Sequence, residues 1–163
     1  MALSALDYIE IYQLHSRFNL SVDLGDVEGY VSTFTRSGWF EVQGLPEGAP
    51  AAGRNTGPDE IRPMVKKLMA GVAGHSRHFV SPTSMLIEGD ENEVKSKGYL
   101  FELRAGVVPN TGVYLTGIFH DVIRKVDGKW LFASRSVRFD PQPEAGVPTD
   151  VLVVKFDELN RTA

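Results

Sequence analysis

The chain has 163 residues, a formal net charge of −4, and 42% hydrophobic against 23% charged residues, the balance of an ordinary globular protein. Its lysines and arginines are scattered, so the basic patch that phosphate contacts need is missing and we predict no nucleic-acid partner. The sequence contains no apolar run of about 18 residues, so we predict no membrane span. The first residues do not have the pattern of a signal peptide. We therefore expect one domain over 1–163, with its core over about 4–140, and a cytoplasmic location.

The first half of the chain has helical signals. Apolar residues recur at helical spacing from Ser4 to about Val22 and predict an amphipathic helix whose face consists of Leu6, Ile9, Leu14, Phe18 and Val22. Gly25 suits the end of that helix, and Asp26 suits the N-cap of a short second helix over 27–34. A strand is expected over 38–42 and a loop over 43–57. A third helix then opens near Pro58, with acidic residues in its first turn.

The second half changes to the period of strands. Four long strands are expected over about 78–88, 93–105, 113–126 and 130–139. Asp127-Gly128 is a two-residue hairpin signal, because a type I′ turn needs positive φ at both central residues. The segment 141–148 is typical of a loop, and 151–154 predicts a short edge strand or an interface segment. Helices followed by an antiparallel meander indicate the α+β class.

The sequence offers few groups for chemistry other than acid–base chemistry. Cysteine is absent, which excludes disulfides and thiolate chemistry. His75 and His78 have no evident third ligand beside them, and there is no glycine-rich phosphate loop, so we predict neither a metal nor a nucleotide cofactor. His78 begins a predicted strand, and Asp23 ends the first helix among apolar neighbours. A carboxylate paired with an imidazole fixes its tautomer, but sequence spacing alone does not join these two.

Several motifs together resemble a known family. They are Asp23-Leu24-Gly25-Asp26, the segment 30–34 leading into a strand, the helix opening at Pro58, His78 at a strand start, the segment 117–121, and the hairpin 124–130 followed by Arg135. Their order resembles the SnoaL-like branch of the nuclear transport factor 2 superfamily over nearly the whole chain. The resemblance implies a cone-shaped, curved antiparallel sheet wrapped around about three N-terminal helices, with an apolar internal pocket.

The resemblance also implies a catalytic site. Scytalone dehydratase, bile acid 7α-dehydratase and hexachlorocyclohexane dehydrochlorinase share an Asp–His pair that removes a proton without a cofactor, and this pair falls on Asp23 and His78. A third polar catalytic position falls on Asp121. Phe18 and Phe119 stand where relatives have tyrosines, which leaves Tyr30, Tyr99 or Asp121 to protonate a leaving oxygen. The residues expected to contact substrate are Phe18, Tyr30, Phe34, Val80, Tyr99, Leu115, Phe119 and Arg138.

Structural explanations compete with these roles. Asp121 could instead pair with Arg135 or Arg138 on the neighbouring strand. His120 is expected on the opposite face of its strand from Asp121, and His15 on the flank of the first helix. The aromatic residues expected in the core are Trp39, Phe40, Phe101 and Trp130.

The preferred hypothesis is a cofactor-independent lyase of the dehydratase type that acts on a small, hydrophobic, cyclic molecule. The alternatives are an isomerase or cyclase of polyketide or terpenoid metabolism that uses the same base, and a non-catalytic binding or assembly subunit. Apolar residues such as Ile118, Val122 and Val126 on the outer face of the sheet predict a homo-oligomer, with a trimer favoured over a dimer.

Overall fold

Three helices pack against a curved, open sheet of seven strands in the computed structural model, which describes residues 2–45, 47–49, 51–104 and 112–140. The helices are α1 (Ala5–Leu24), α2 (Val27–Val31) and α3 (Gly57–Val72). The strands are β1 (Phe34–Gln43), β2 (Gly53–Thr56), β3 (Ser76–Phe79), β4 (Met85–Gly89), β5 (Glu93–Arg104), β6 (Gly112–Val126) and β7 (Lys129–Phe139). The predicted α+β class and the three helices are confirmed.

Helix α1 begins and ends where its capping residues predict. The Asp7 backbone N–H donates to Ser4 Oγ (3.2 Å) and the Ser4 N–H donates to Asp7 Oδ2 (2.9 Å), which closes a capping box. Gly25 ends the helix in the left-handed conformation, with φ 79°.

The buried stripe of α1 differs from the predicted one. Leu6 and Ile9 are exposed. The apolar stripe is Ile11, Leu14, Phe18 and Val22, whose three- and four-residue steps follow the helical period. The polar residues at 15, 19 and 23, each four apart, are buried beside it.

The sheet order is β2-β1-β7-β6-β5-β3, with β4 also paired to β5. All strand pairs are antiparallel except β1 with β7, which run parallel. This is one difference from the expected antiparallel sheet. A parallel pair needs a long crossover between its strands, and the chain between β1 and β7 provides it. The strand β2 also lies within the segment 43–57 that was predicted to be a loop.

The strand predicted over 78–88 is two strands. Between them Pro82 opens a short 3₁₀ turn, Pro82–Ser84, because proline has no N–H to donate to a sheet. The predicted hairpin at Asp127-Gly128 is confirmed, since both residues have positive φ (50° and 77°). The predicted segments 141–148 and 151–154, and the C-terminal extension 141–163 as a whole, lie outside the described residues.

Aromatic side chains form the centre of the core. Ring centroids lie 4.4–6.4 Å apart in a cluster made of Phe18, Tyr30, Phe34, Phe40 and Phe132. Such tilted and edge-on pairs add to the free energy gained by burying the rings.

Three predicted positions need correction. Trp39, expected in the core, is half-buried and is not part of the core cluster. Phe101 is 44% exposed, because its strand neighbours Leu100 and Glu102 are the ones that face inward. His15 is fully buried rather than on a helix flank.

Two features are absent from the described part of the chain. No helix in it is long and apolar enough to cross a membrane. It also contains no group of three or more His, Asp or Glu side chains placed to hold a metal ion.

Candidate active site

A cavity of about 470 Å³ opens between the helices and the sheet. This size is in the range of small-molecule sites, and like them the cavity is walled mainly by apolar side chains. The apolar walls include Phe18, Val22, Phe40, Val42, Leu100 and Val137. Polar side chains also reach the cavity: Asn19, Tyr30, His78, Glu102, Arg104 and Arg135.

Asp23 and His78 are in direct contact at one wall of the cavity. The two atoms Asp23 Oδ1 and His78 Nδ1 are 2.5 Å apart, and the His78 backbone N–H donates to Asp23 Oδ2 (2.8 Å). The backbone also joins the end of α1 to the start of β3, because the Gly74 N–H donates to the Asp23 carbonyl (2.8 Å). The carboxylate is buried, whereas the imidazole is 15% exposed. The Asp23 carboxylate is therefore fixed in the interior, whereas the His78 imidazole is accessible from the cavity.

This contact determines the tautomer of His78. An ionised carboxylate only accepts hydrogen bonds, so Nδ1 carries the proton and donates to Asp23. Nε2 then has a free lone pair, and His78 is a lining residue of the cavity. With Nδ1 engaged, Nε2 is the ring nitrogen available to a bound molecule, which is the arrangement that a general base requires.

Glu102 is a second carboxylate beside the imidazole, and the sequence analysis did not find it. It lies directly opposite His78 in the β3–β5 pairing, and its Oε2 atom is 3.6 Å from His78 Nε2. Its other oxygen, Oε1, accepts from Ser76 Oγ (2.6 Å) and from Arg104 Nε (2.7 Å). One oxygen is anchored, so the other keeps its position beside the imidazole.

Asp121 belongs to a different buried cluster, on β6 and β7. Its Oδ2 accepts from Arg135 Nη1 (3.1 Å) and from Ser96 Oγ (3.2 Å). Arg135 Nη1 also donates to His15 Nδ1 (3.1 Å). Burial, aided by the charge of Arg135, lowers the pKa of His15 well below its usual value, so the ring is neutral. Of the two structural partners considered for Asp121, the one in contact is Arg135.

The other predicted substrate contacts divide into three groups. Phe18, Tyr30 and Leu115 line the cavity. Phe34 and Phe119 are buried in the core, and Val80 is half-buried after the end of β3.

Tyr99 and Arg138 are the two that the structure places elsewhere. Tyr99 is 56% exposed and Arg138 is exposed, whereas the residues next to them in their strands face inward. Alternation along the strand therefore puts both side chains on the opposite face of the sheet from the cavity. His120, expected on the opposite face of its strand from Asp121, is exposed, whereas Asp121 is buried.

The family model of the SnoaL-like domain matches residues 4–136. The chain belongs to this family. The predicted resemblance is thereby confirmed, and the curved sheet with its internal cavity is the SnoaL-like domain of this chain. No curated protein matches it significantly.

Solved structures share the fold of this SnoaL-like chain. A protein of unknown function with a cystatin-like fold from Nostoc punctiforme is 28% identical, with a TM-score of 0.75 over 88% of this chain and 98% of that one. A Catenulispora acidiphila protein in complex with S-DNPA is 25% identical, with a TM-score of 0.69 over 84% and 96% of the two chains. A candidate scytalone dehydratase from Novosphingobium aromaticivorans is 18% identical, with a TM-score of 0.66 over 87% and 89%, and shows the fold alone.

Asp121 gives this SnoaL-like domain a pH-dependent stability. Burial raises the pKa of its carboxyl from 3.8 to about 7, although Arg135 and the Ser96 hydroxyl act against the rise. Between about pH 4 and pH 7 the folded protein therefore keeps a proton that the unfolded chain releases, and this group lowers the free energy of unfolding as pH rises. Asp121→Asn removes the titration. Its free energy of unfolding is expected to increase relative to wild type over this window, by up to about 4 kcal/mol.

Urea unfolding of both proteins at pH values across that window measures this difference. His15 and Arg135 contact Asp121 and are present in both proteins, so the difference between the two curves reports Asp121 together with its effect on these two groups. Stability curves that stay parallel from acid to neutral pH would contradict the assignment.

Proposed function

We propose that this protein is a cofactor-independent acid–base enzyme that catalyses elimination, as a dehydratase does, on a small, hydrophobic, cyclic compound. The observation that carries the proposal is the contact between Asp23 and His78 at the wall of an apolar cavity. Nδ1 is engaged by the carboxylate, and the second nitrogen is left to take a proton from a bound molecule.

Asp23 would act as a positioning residue. Its two oxygens hold the imidazole from two directions, through the ring and through the backbone N–H of the same residue. When His78 takes a proton, the adjacent carboxylate stabilises the positive charge. This stabilisation is greater in a cavity from which water is largely excluded than in bulk solvent.

Glu102 would stabilise the same cation from the other side. Once Nε2 is protonated, its N–H faces Glu102 Oε2 at a distance of 3.6 Å. The imidazolium then lies between two carboxylates, and the proton remains at the wall of the cavity.

His78 can serve as both the base and the acid of the elimination, because the proton that it takes up is returned to the leaving group. His78 Nε2 takes a proton from carbon, the electron pair of the broken C–H bond forms the new double bond, and the C–O bond breaks. The proton then passes from Nε2 to the departing hydroxyl group, which leaves as water. This route needs no hydroxyl at Phe18 or Phe119, the two positions where relatives have tyrosines.

The cavity walls support the substrate class. Phenylalanine and aliphatic side chains dominate the lining, which favours burial of a ring compound. The fold shared with a candidate scytalone dehydratase supports dehydration by analogy of fold.

The test is untargeted mass spectrometry of metabolite extracts incubated with wild type or with His78→Ala. We expect a product that forms only with wild type and whose mass is one water lower than that of a consumed compound. A His78-dependent product of unchanged mass would instead identify an isomerase or cyclase that uses the same base. Identical extracts, with both proteins shown to be folded, would count against catalysis and favour a binding role.

A further inference from the structure

Three buried polar atoms at the cavity have no hydrogen-bond partner within the described part of the chain. They are Asn19 Oδ1, the Tyr30 hydroxyl and Arg135 Nε. All three residues line the cavity, and their exposed fractions are only 0–7%. Burying a donor or acceptor without a partner is costly, and proteins rarely tolerate it without a reason. Tyr30 and Arg135 each have a donor available, so together they suit an oxygen of a bound molecule.

Arg135 adds a positive charge whose compensation is incomplete. Its guanidinium carbon lies 4.4 Å from the Phe18 ring centroid, 4.7 Å from that of Phe119 and 4.8 Å from that of Phe132. The carboxylate that it contacts is Asp121, and burial raises the pKa of that group to about 7. A carboxyl whose pKa is raised by burial compensates the charge of Arg135 less fully than an ordinary carboxylate does. A ligand oxygen that bears negative charge would balance it.

Tyr30 and Arg135 both line the cavity beside Phe18. Phe18 packs against both, with its ring centroid 4.4 Å from that of Tyr30 and 4.4 Å from the Arg135 guanidinium carbon. Burial also raises the pKa of the Tyr30 phenol, so this group stays protonated and is a donor to an oxygen anion.

We infer that the cavity binds a ring compound with an acidic oxygen of the phenol or enol type, which accepts hydrogen bonds from the Tyr30 hydroxyl and the Arg135 Nε–H group. This inference deepens the proposed function and rests on it for the reaction, although binding itself does not require His78. When His78 takes a proton from the carbon next to a carbonyl, the electron pair of the C–H bond moves onto that oxygen as an enolate. Tyr30 and Arg135 would hold this charge until the leaving group departs.

The test compares 4-nitrophenol with 4-nitroanisole, its methyl ether, which has no acidic oxygen. Equilibrium dialysis gives Kd, and the absorbance of the phenolate shows whether the bound compound is ionised. For wild type we expect 4-nitrophenol to bind at least about tenfold more tightly than the ether and to ionise at lower pH when bound than when free, because a hydrogen bond to a charged group is stronger than one to a neutral group.

Tyr30→Phe is the decisive variant, because it removes only the hydroxyl that has no partner. It should weaken 4-nitrophenol binding about five- to tenfold, leave 4-nitroanisole binding unchanged, and raise the Tm of the ligand-free protein. The matched control is Tyr99→Phe, which removes a hydroxyl on the other face of the sheet and should change neither affinity.

Equal affinity of wild type for the phenol and the ether, no binding of either, or equal effects of the two tyrosine variants would overturn the inference. The test is separable from that of the proposed function. His78→Ala should retain the preference for 4-nitrophenol even though it strongly lowers turnover. Conversely, if wild type prefers 4-nitrophenol but no His78-dependent product exists, the result would support the acidic-oxygen site and contradict the proposed catalysis.

Discussion

Turnover of the substrate is expected to fall by about 10²- to 10⁴-fold in His78→Ala, because general-base catalysis contributes on this order. Asp23→Asn is expected to lower kcat comparably while preserving the side-chain volume. The His78 backbone N–H needs an acceptor, so the amide oxygen of the variant would take the place of Asp23 Oδ2. The amide NH₂ would then face Nδ1 and turn it into an acceptor. The proton would move to Nε2, and the lone pair that takes the substrate proton would be lost.

The measurement is steady-state kinetics on the compound found by mass spectrometry, with Tm as a check on folding. The matched control is His75→Ala, since His75 is exposed in the turn before β3 and should retain wild-type turnover. Near-normal kcat in folded His78→Ala and Asp23→Asn proteins would remove this pair from the mechanism.

The second large effect is on stability. Phe132→Ala is expected to lower the free energy of unfolding by about 3–5 kcal/mol, since it empties a fully buried site and leaves a cavity. The ring packs against Phe18 at 5.6 Å, Phe34 at 5.6 Å and His15 at 5.2 Å between centroids. A loss of this size is a large part of the total stability of such a domain.

Phe101→Ala is the matched control, a phenylalanine on the opposite face of the same sheet. Its ring is 44% exposed, so the expected loss is below about 1 kcal/mol. Chemical unfolding of the two variants measures the difference directly. Equal losses would mean that the inner and outer faces of β5 and β7 are assigned incorrectly.

Local sequence signals correctly predicted most elements. Ser4 and Gly25 mark the ends of α1, because a capping side chain and a left-handed glycine act on their own neighbours. The Asp127-Gly128 turn depends only on the backbone freedom of two residues. The i+4 spacing of the buried polar residues at 15, 19 and 23 is also present in the sequence, but the sequence analysis did not use it and placed His15 on a helix flank.

The register of the strands decides which residues come together at the site. In β4 and β5, Met85 lies opposite Gly98. A continuation of that register would put His78 opposite position 105, but the break at Pro82–Ser84 shifts it to Glu102. No local pattern predicts how far a register moves across such a break, because the shift is set by packing of the strand against helices and sheet.

The sequence by itself determined the element types, the α+β class and, through the family resemblance, the pairing of Asp23 with His78. Only the tertiary structure decided which other groups share the cavity. Arg135 and Tyr30 are more than 100 positions apart in the sequence, and their unpartnered donors become evident only when burial removes water from both. Spacing along the chain encodes faces of helices and strands, whereas hydrogen-bond satisfaction is a property of the packed three-dimensional interior.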